Sequence, residues 1–437
     1  MSILDPLVLP VADRLSVTTP GVPEICRGHV WERSRFEWRA SDGGDPAALL
    51  VAYLAGLGLP VADLLGPAAR DARLRHERAR RERDGLCGAA LFVSAAAAAV
   101  MTGAAPGAAS PVPAVPDVVA VEYRHGPPPE VPAPRPPAAR RRAPAERWRL
   151  DPWVDTWTGA EHAAAVRQVR AAIGRGDVYQ VNVVGHASAG YHGDPGPALR
   201  RVAGLPGARY GGVLSGSGWA IACASPETLL ELACDRLRTR PIKGTRPATV
   251  AGRAELLASD KERAEHVMIV DLVRNDLSRV ARTGSVRVEQ LYAVRRWCDL
   301  WQAESTVGAQ LTAGVGLADL LRAVCPGGSV TGAPKRAALG EIAVLEPTGR
   351  GASMGALGWI GPDRLDLGLT IRTVAVDARR VHVWAGGGIT WGSDPRAEVD
   401  EARAKAGPVR AALAGPLTSP ANRPADRWAT PPAAPNR

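Results

Sequence analysis

The chain has 437 residues, of which 46% are hydrophobic and 22% are charged. This is enough apolar material for one large core or two smaller ones, as in a soluble globular protein. Neither a run of about 18 uncharged apolar residues nor a basic segment followed by an apolar N-terminal stretch is present, so we expect no membrane span and no signal peptide. The six cysteines have no paired spacing, which favours neither a disulfide framework nor a zinc site and predicts a reducing, cytoplasmic location.

The formal net charge is +10, which raises the question of nucleic-acid binding. The position of the charge argues against it, because residues 126–150 contribute +4 and the tail over 416–437 contributes +2. Residues 126–150 also hold eight prolines and the Arg140-Arg141-Arg142 run. Such segments cannot bury enough apolar surface to offset their ordering entropy. No recognition motif accompanies the charge, so we expect no nucleic-acid partner.

Composition divides the chain into four regions. Residues 1–125 form a divergent, weakly patterned N-terminal region, residues 126–150 a Pro/Arg-rich linker or loop, residues 151–415 the domain that holds the candidate site residues, and residues 416–437 a predicted disordered tail. Within the first region, helical patterns cover 46–57 and 68–84 and an Ala-rich apolar segment starts at Leu86.

The third region is the most strongly patterned. Residues 160–173 have a helical apolar period, and a candidate strand over 178–184 follows after glycine breaks. Strand and helix patterns then alternate to about Leu413, the clearest strands being 367–376 and 380–384. We predict an α+β or α/β core.

A candidate nucleophile lies in the sequence RTRPIKGTRPA, residues 238–248. Lys243 follows a strand-like stretch and precedes a Gly-Thr turn. A lysine amine held in a partly desolvated site has a lowered pKa and can act as a nucleophile. Gly244 would let the backbone approach a ligand, and Thr245 offers an amide and a hydroxyl to a carboxylate. An exposed turn lysine is the alternative interpretation.

Two separate helical segments each carry Glu-x-x-Glu. Glu262 and Glu265 form one pair, and Glu398 and Glu401 form the other. A spacing of three places each pair on one helix face. If the two faces converge, the carboxylates would repel one another unless a hard cation such as Mg²⁺ lay between them. Solvated surface pairs are the alternative.

Two Gly-rich segments and one arginine complete the candidate site. In WAGGGITW, residues 384–391, Gly386, Gly387 and Gly388 are predicted to leave a strand and expose backbone amides to an anion. PGGSVTGAPK, residues 326–335, lacks the spacing of a phosphate-binding Walker loop. Arg372 lies in an alternating strand pattern, from which an inward-facing guanidinium would bind a carboxylate. The residues alone therefore predict a site for a small dicarboxylate.

These motifs occur in the order found in the chorismate-utilising enzymes, which include anthranilate synthase component I, aminodeoxychorismate synthase component I, isochorismate synthase and salicylate synthase. The chain resembles that family over about residues 155–410. The segments that carry the resemblance are GDVYQVN, ASPETLL, PIKGT, KERAEHVMIVDLVRND, PGGSVTGAPK, GALGWIG, IRT and GGGITWGSDPRAEVDEARAKA.

The resemblance implies a fold and a reaction. The expected fold is that of anthranilate synthase component I, with two α/β subdomains, face-to-face β-sheets, outer helices and chorismate in the cleft between them. With lysine at position 243 the chain resembles the aminodeoxychorismate synthases of this family, whereas anthranilate synthases usually have alanine at that position. Gln180 stands where isochorismate and salicylate synthases have a general-base lysine.

By resemblance, each predicted site residue also has a role. Lys243 would attack C2 of chorismate and ammonia would add at C4, giving 4-amino-4-deoxychorismate for para-aminobenzoate and folate formation. Glu265 and Glu401 would hold Mg²⁺, supported by Glu262 and Glu398. Substrate contacts would come from Gly244, Thr245, Arg372, Gly386, Gly387 and Gly388.

Ammonia would have to come from a partner. No cysteine lies in the Gly-x-Cys-x-Gly setting of a glutaminase nucleophile, so a separate glutaminase subunit is expected. Two alternatives stay open: an anthranilate or 2-amino-2-deoxyisochorismate synthase component I, and a catalytically idle chorismate-binding paralogue. The second is suggested by Ser353 and Gln302, which stand where relatives usually have a tyrosine and a histidine.

Overall fold

The structure is a computed structural model that describes residues 30–82, 84–127 and 148–415. The predicted tail and residues 128–147 of the predicted linker lie outside the described residues. Within those ranges, no helix has the length and apolar character needed to cross a membrane. The division into four regions stays a prediction.

Ten α-helices and eighteen strands are found among the described residues. The helices are α1 (Pro46–Gly56), α2 (Pro67–Glu82), α3 (Ala95–Met101), α4 (Gly159–Arg175), α5 (Gly196–Ala203), α6 (Val250–Ala258), α7 (Asp260–Ser278), α8 (Leu317–Val324), α9 (Lys335–Leu345) and α10 (Pro395–Ala414). The strands are β1 (Val30–Trp38), β2 (Gly85–Val93), β3 (Val118–His125), β4 (Arg149–Leu150), β5 (Val154–Asp155), β6 (Gln180–His192), β7 (Tyr210–Gly216), β8 (Trp219–Ser225), β9 (Thr228–Ala233), β10 (Arg236–Arg240), β11 (Ile242–Pro247), β12 (Arg287–Trp297), β13 (Leu300–Gln310), β14 (Gly332–Ala333), β15 (Ala356–Ile360), β16 (Arg364–Leu369), β17 (Thr373–Val376) and β18 (Arg380–Ile389).

The strands form two large sheets, and every strand pair among the described residues is antiparallel. A ten-stranded sheet has the order β1-β3-β2-β15-β16-β9-β10-β13-β11, with β12 also paired to β13. An eight-stranded sheet has the order β14-β6-β18-β17-β8-β7, with β4 and β5 also paired to β6. Because β2 pairs with β15, the N-terminal strands belong to the same sheet as strands far along the chain.

The hydrophobic core lies between the sheets and beneath the helices. The largest apolar cluster holds buried residues from both sheets, among them Ile221 of β8 and Leu230 of β9. Two smaller clusters pack helices against the eight-stranded sheet. One contains residues of α5 and α10, and the other contains residues of α4 and α9. This arrangement confirms the predicted α+β class.

Local sequence explains where the predicted helices begin and end. The helix predicted over 160–173 is α4, whose first turn is capped by the Thr158 hydroxyl and Glu161 carboxylate and whose last turn ends at Gly176 with φ +85°. The two N-terminal helix predictions correspond to α1 and α2. The apolar segment from Leu86 is not one element, because Ser94 caps the start of α3 directly after β2.

Two of the links at which the chain passes between the two sheets are neighbours. Residues 226–227 connect β8 of the eight-stranded sheet to β9 of the ten-stranded sheet, and residues 370–372 make the reverse passage from β16 to β17. The links are tied together, since Leu369 N donates to Glu227 O at 3.1 Å and Ala224 N donates to Arg372 O at 3.2 Å. The single strand predicted over 367–376 is therefore wrong: its alternating pattern covers two strands in different sheets.

A buried ion pair holds the elements beside these links. The Arg350 guanidinium contacts the Glu346 carboxylate through Nε at 2.8 Å and Nη2 at 2.7 Å. Arg350 also donates to the carbonyl oxygens of Val330 and Asn182, and Glu346 accepts from Val184 N. Both side chains are buried. The pair thus connects α9 to β6 and to the turn that precedes β14.

Removing one member of this pair should destabilise the fold strongly. Arg350→Met leaves the Glu346 carboxylate buried without its cation, and we expect the free energy of unfolding to fall by about 3–5 kcal/mol. Arg78 and Glu82 form an exposed pair of the same i, i+4 spacing and a similar distance, 2.8 Å. Arg78→Met should change stability by only about 0–1 kcal/mol. Urea unfolding checks both; equal losses in the two variants would contradict this account.

Candidate functional site

One cavity lies where the chain passes between the sheets. All the residues predicted to form the site line it, namely Lys243, Gly244, Thr245, Glu262, Glu265, Arg372, Gly386, Gly387, Gly388, Glu398 and Glu401. They come from β11, α7, the 370–372 link, β18 and α10, elements that are far apart in the sequence. Their convergence is a property of the fold that sequence patterns could only suggest.

A β-bulge in β11 lies directly after Lys243. The pairing of β11 with β13 shifts register between Lys243 and Thr245, and Gly244 has φ +74°. The predicted Gly-Thr turn is therefore wrong, since both residues belong to β11 and the glycine supplies the bulge. A Cβ atom at position 244 would contact Leu256 and Glu262. Burial lowers the pKa of Lys243, opposed in part by the charge of Glu265 and reinforced by that of Lys405.

The two glutamate pairs do converge. Glu262 and Glu265 lie in the first two turns of α7, and Glu398 and Glu401 lie in the first two turns of α10. Thr390 Oγ1 donates to Glu265 at 2.7 Å. Burial raises the pKa of Glu262 and of Glu398, and a second glutamate adds to the rise in each case. The four carboxylates therefore crowd together, as expected of a set of oxygen ligands.

Cationic side chains offset this crowding. Lys261 Nζ lies 3.6 Å from Glu265 and 3.8 Å from Glu398, and so bridges the two helices. Lys405 contacts Glu401 at 2.6 Å and donates to Gly386 O at 3.0 Å. Although burial opposes it, the charge of Lys405 lowers the pKa of Glu401.

The distribution of lysine is unequal. The sequence contains only four lysines among its 54 Lys and Arg residues. Three of them, Lys243, Lys261 and Lys405, line the cavity. The fourth, Lys335, pairs with Asp276 at 2.8 Å at the start of α9, so the second Gly-rich segment does not present its lysine to the cavity. The cavity thus combines three ammonium groups with one guanidinium, that of Arg372.

Arg372 is held in an unusual conformation. It is not in a strand, as predicted, but in the 370–372 link, with φ +54°. Its guanidinium stacks over the Trp297 ring at 4.5 Å, and it is only 7% exposed. Burial lowers its pKa to about 10. Among the described residues it forms no ion pair with a carboxylate, so it is a buried cation available to an anionic ligand.

The three consecutive glycines lie inside β18 rather than in a loop after it. Gly386, Gly387 and Gly388 pair with Val184, Val183 and Asn182 of β6, which corrects the prediction that they leave the strand. On its other side β18 is paired with β17 only over residues 381–383, so among the described residues no strand pairs with the glycine segment on the side where Lys405 donates to Gly386 O. A Cβ atom at position 388 would collide with the Lys243 amine and the Gln180 amide.

Glu227 and Gln180 are among the residues of the cavity region that were not assigned a site role from the sequence. Glu227 lies in the other inter-sheet link, is 3% exposed and accepts a hydrogen bond from Ser329 at 2.6 Å. Burial raises its pKa to about 7, against the effects of Ser329 and Lys243. Gln180 is fully buried, and neither amide atom has a hydrogen-bond partner among the described residues. Glu227 is the only carboxylate within ASPETLL, so no spacing pattern in the sequence would have identified it.

The glutamate at position 227 should make stability depend on pH. Its pKa is raised from 4.5 to about 7 on folding, so the stabilisation from proton binding is complete below pH 4.5 and is lost as the pH rises through 7. Relative to Glu227→Gln, the ligand-free wild type should therefore lose about 2–3 kcal/mol between pH 5 and pH 8. Urea unfolding at several pH values measures this; parallel curves for the two proteins would contradict it.

Comparison with known proteins gives the family. Residues 119–411 match the family model described as chorismate binding enzyme. The chain is 40% identical over 256 residues to aminodeoxychorismate synthase component 1 of Salmonella typhimurium, covering 57% of this chain and 56% of that protein. It is also 40% identical over 257 residues to anthranilate synthase component 1 of Streptomyces coelicolor, covering 57% and 50%.

The fold agrees with a solved structure. Anthranilate synthase component I from Streptococcus pneumoniae superposes with a TM-score of 0.66 at 22% identity, covering 92% of this chain and 95% of that one. At that identity the likeness concerns the fold alone. The chain spans about half the length of the curated relatives it matches. From the match over residues 119–411, the chain belongs to the chorismate-binding enzyme family.

Proposed function

We propose that the chain is component I of an aminodeoxychorismate synthase, converting chorismate and ammonia to 4-amino-4-deoxychorismate, a precursor of para-aminobenzoate. The observation that carries the proposal is the Lys243 amine, which lines the same cavity as four carboxylates and a buried arginine. Because burial lowers the pKa of the Lys243 amine, its neutral form, which is the nucleophile, is reached more readily than in an exposed lysine. Direct addition of ammonia to the ring would need no such amine.

In the proposed reaction the Lys243 amine attacks C2 of chorismate. A C2–N bond forms, the two conjugated ring double bonds each shift by one position toward C4, and the C4–O bond breaks. Glu227 in its protonated form supplies the proton with which the hydroxyl leaves as water, and the proton lost by the lysine replaces it. Ammonia then forms a bond to C4 as the C2–N bond breaks, which returns Lys243 as a free amine. The raised pKa of Glu227 supports its role as the acid.

Glu265 and Glu401 would hold Mg²⁺ directly, and Glu262 and Glu398 would support it. The residues fit such an ion, because they are oxygen ligands crowded at one end of the cavity. Lysines 261 and 405, which offset these carboxylates here, could be displaced by a cation of higher charge. When bound, the ion would neutralise a substrate carboxylate and polarise the ring that bears it.

The remaining contacts would fix the dicarboxylate. Arg372 offers a buried guanidinium, Thr245 an amide and hydroxyl, and residues 386–388 a strand edge with which no described strand pairs. Five carboxylates and four cationic side chains line the cavity. A dianion entering together with a divalent cation would leave that balance unchanged, whereas a dianion alone would add to the negative charge. Charge therefore favours joint binding of Mg²⁺ and chorismate.

A separate glutaminase subunit would supply the ammonia. None of the five cysteines in the described residues lines the cavity. The name component 1 of the curated relatives supports a partner. Glutamine hydrolysis by the chain alone, at the rate of product formation, would exclude this proposal.

Anthranilate synthase is the second candidate, because a relative of that name is as similar as the aminodeoxychorismate synthases are. Product analysis distinguishes them. With chorismate, Mg²⁺ and ammonium, mass spectrometry should find 4-amino-4-deoxychorismate, and Lys243→Ala should lower kcat by about 100-fold or more with little change in chorismate binding.

Each result that would contradict the proposed function points to a different conclusion. Anthranilate as the wild-type product would favour the second candidate. No consumption of chorismate would favour an idle paralogue. Full turnover to 4-amino-4-deoxychorismate by Lys243→Ala would exclude the lysine as the nucleophile. Lys335→Ala is a useful comparison, since that lysine lies outside the cavity and its loss should affect stability more than the product.

Replacing a proposed metal ligand should change the dependence on Mg²⁺. Glu265→Gln and Glu401→Gln each remove a charged oxygen, and we expect the Mg²⁺ concentration at half-maximal rate to rise by about 10-fold or more. Glu289→Gln is the control, because Glu289 pairs with Arg236 and Arg238 and does not line the cavity. Titration of the initial rate with Mg²⁺ measures the effect; unchanged curves in both cavity variants would remove these residues from the metal site.

A further inference from the structure

A second cluster of potential ligands lies outside the cavity. His76 of α2, Cys87 of β2 and His125 at the end of β3 each present a ligand atom, and these atoms all lie within 4.8 Å of one another. The three residues are 4%, 0% and 2% exposed. None of them lines the candidate active site. Their separations of 11 and 38 positions form no metal-binding motif, so only the fold brings them together.

We propose that His76, Cys87 and His125 bind a transition-metal ion, for which Zn²⁺ is the best chemical match. Imidazole nitrogen and thiolate sulfur are the ligands that Zn²⁺ takes in proteins. The set excludes Mg²⁺ and Ca²⁺, which require oxygen ligands. Three protein ligands leave the fourth position of a tetrahedral ion for solvent or for a neighbouring carboxylate.

Backbone geometry directs the thiol into this cluster. The register between β2 and β3 shifts between Leu86 and Gly88, so Cys87 is the extra residue of a β-bulge. Gly88 has φ +151°, and a Cβ atom there would lie too close to the Ile360 carbonyl and the Trp359 ring. Bulges turn a side chain out of the regular strand alternation. The bulge and the glycine that permits it thus fix the position of the sulfur.

A carboxylate lies where it can orient one of the histidines. His76 Nδ1 is 3.7 Å from Asp363 Oδ1, in the turn between β15 and β16. Metal-binding histidines commonly donate their other ring N–H to a carboxylate, which fixes the ring and its tautomer. With Nδ1 toward Asp363, Nε2 is the nitrogen for the metal. The rings of His76 and His125 stack at 5.8 Å with an interplanar angle of 29°.

The ordinary alternative is that the three residues are merely packed in the core. Packing in the core requires only apolar contacts, whereas these three residues bring three ligand atoms to within 4.8 Å of one another. A bound ion would use all three of them. It would also join α2, which is rich in arginine, to the N-terminal part of the ten-stranded sheet. We therefore assign the site a structural role, separate from the proposed reaction.

Cobalt titration of the metal-free full-length chain tests the proposal. Wild type should bind one Co²⁺ with a thiolate-to-cobalt charge-transfer band and tetrahedral d–d bands, both abolished by added Zn²⁺ and unaffected by Mg²⁺. Cys87→Ser should remove the charge-transfer band. Asp363→Asn should keep the band and weaken binding by about 10–100-fold.

The controls separate this site from others that take a metal. Cys223→Ser replaces an equally buried thiol of β8, outside the cluster, and should keep the band. Glu265→Gln should keep it too. Wild type without a thiolate band, or Cys87→Ser with an unchanged one, would overturn the proposal. If Cys87→Ser fails to fold, Asp363→Asn decides, since weaker binding with the band kept places the thiolate-bound metal beside His76 and unchanged binding would overturn the proposal.

Discussion

The site depends on two adjacent passages of the chain between the sheets. The links at 226–227 and 370–372 place Glu227 and Arg372 at the same cavity, and hydrogen bonds of the residues in and beside the links hold them together. A sheet surface alone would present alternating side chains in a plane. By leaving one sheet and entering the other, the chain instead brings a carboxyl group and a guanidinium to the cleft, where burial shifts the pKa of each.

The crowding of glutamate carboxylates explains why lysines lie among them in the cavity. Five carboxylates in one cavity would raise one another's pKa values, so cations must lie among them. Lys261 and Lys405 do this in the present structure, and both occur four residues from a glutamate on the same helix. Lys243 lies among these charges, and Glu265 and Lys405 act on its pKa in opposite directions. The amine is therefore sensitive to whatever ion occupies the glutamate cluster.

The sequence was sufficient to predict elements whose signals are local. The glutamate pairs were correctly placed on helices, where residues three positions apart lie on the same face. The strand predicted across Arg372 was wrong, because hydrophobic alternation continues through a link that changes sheets. Glu227 was not assigned a role because a lone carboxylate next to a strand has no pattern. His76, Cys87 and His125 could not be grouped at all, since their proximity arises from the pairing of β2 with β3 and the packing of α2 against β2.

The central claim is that Lys243 becomes covalently attached to the substrate. The most direct test is intact-mass analysis of the wild-type chain incubated with chorismate and Mg²⁺ in the absence of ammonia, followed by peptide mapping. With only four lysines in the chain, the attachment site can be assigned without ambiguity. The account predicts an adduct with the mass of chorismate less one water, on Lys243, that disappears when ammonium is added. Formation of 4-amino-4-deoxychorismate by a protein that never carries this adduct, or carries it on another residue, would contradict the account.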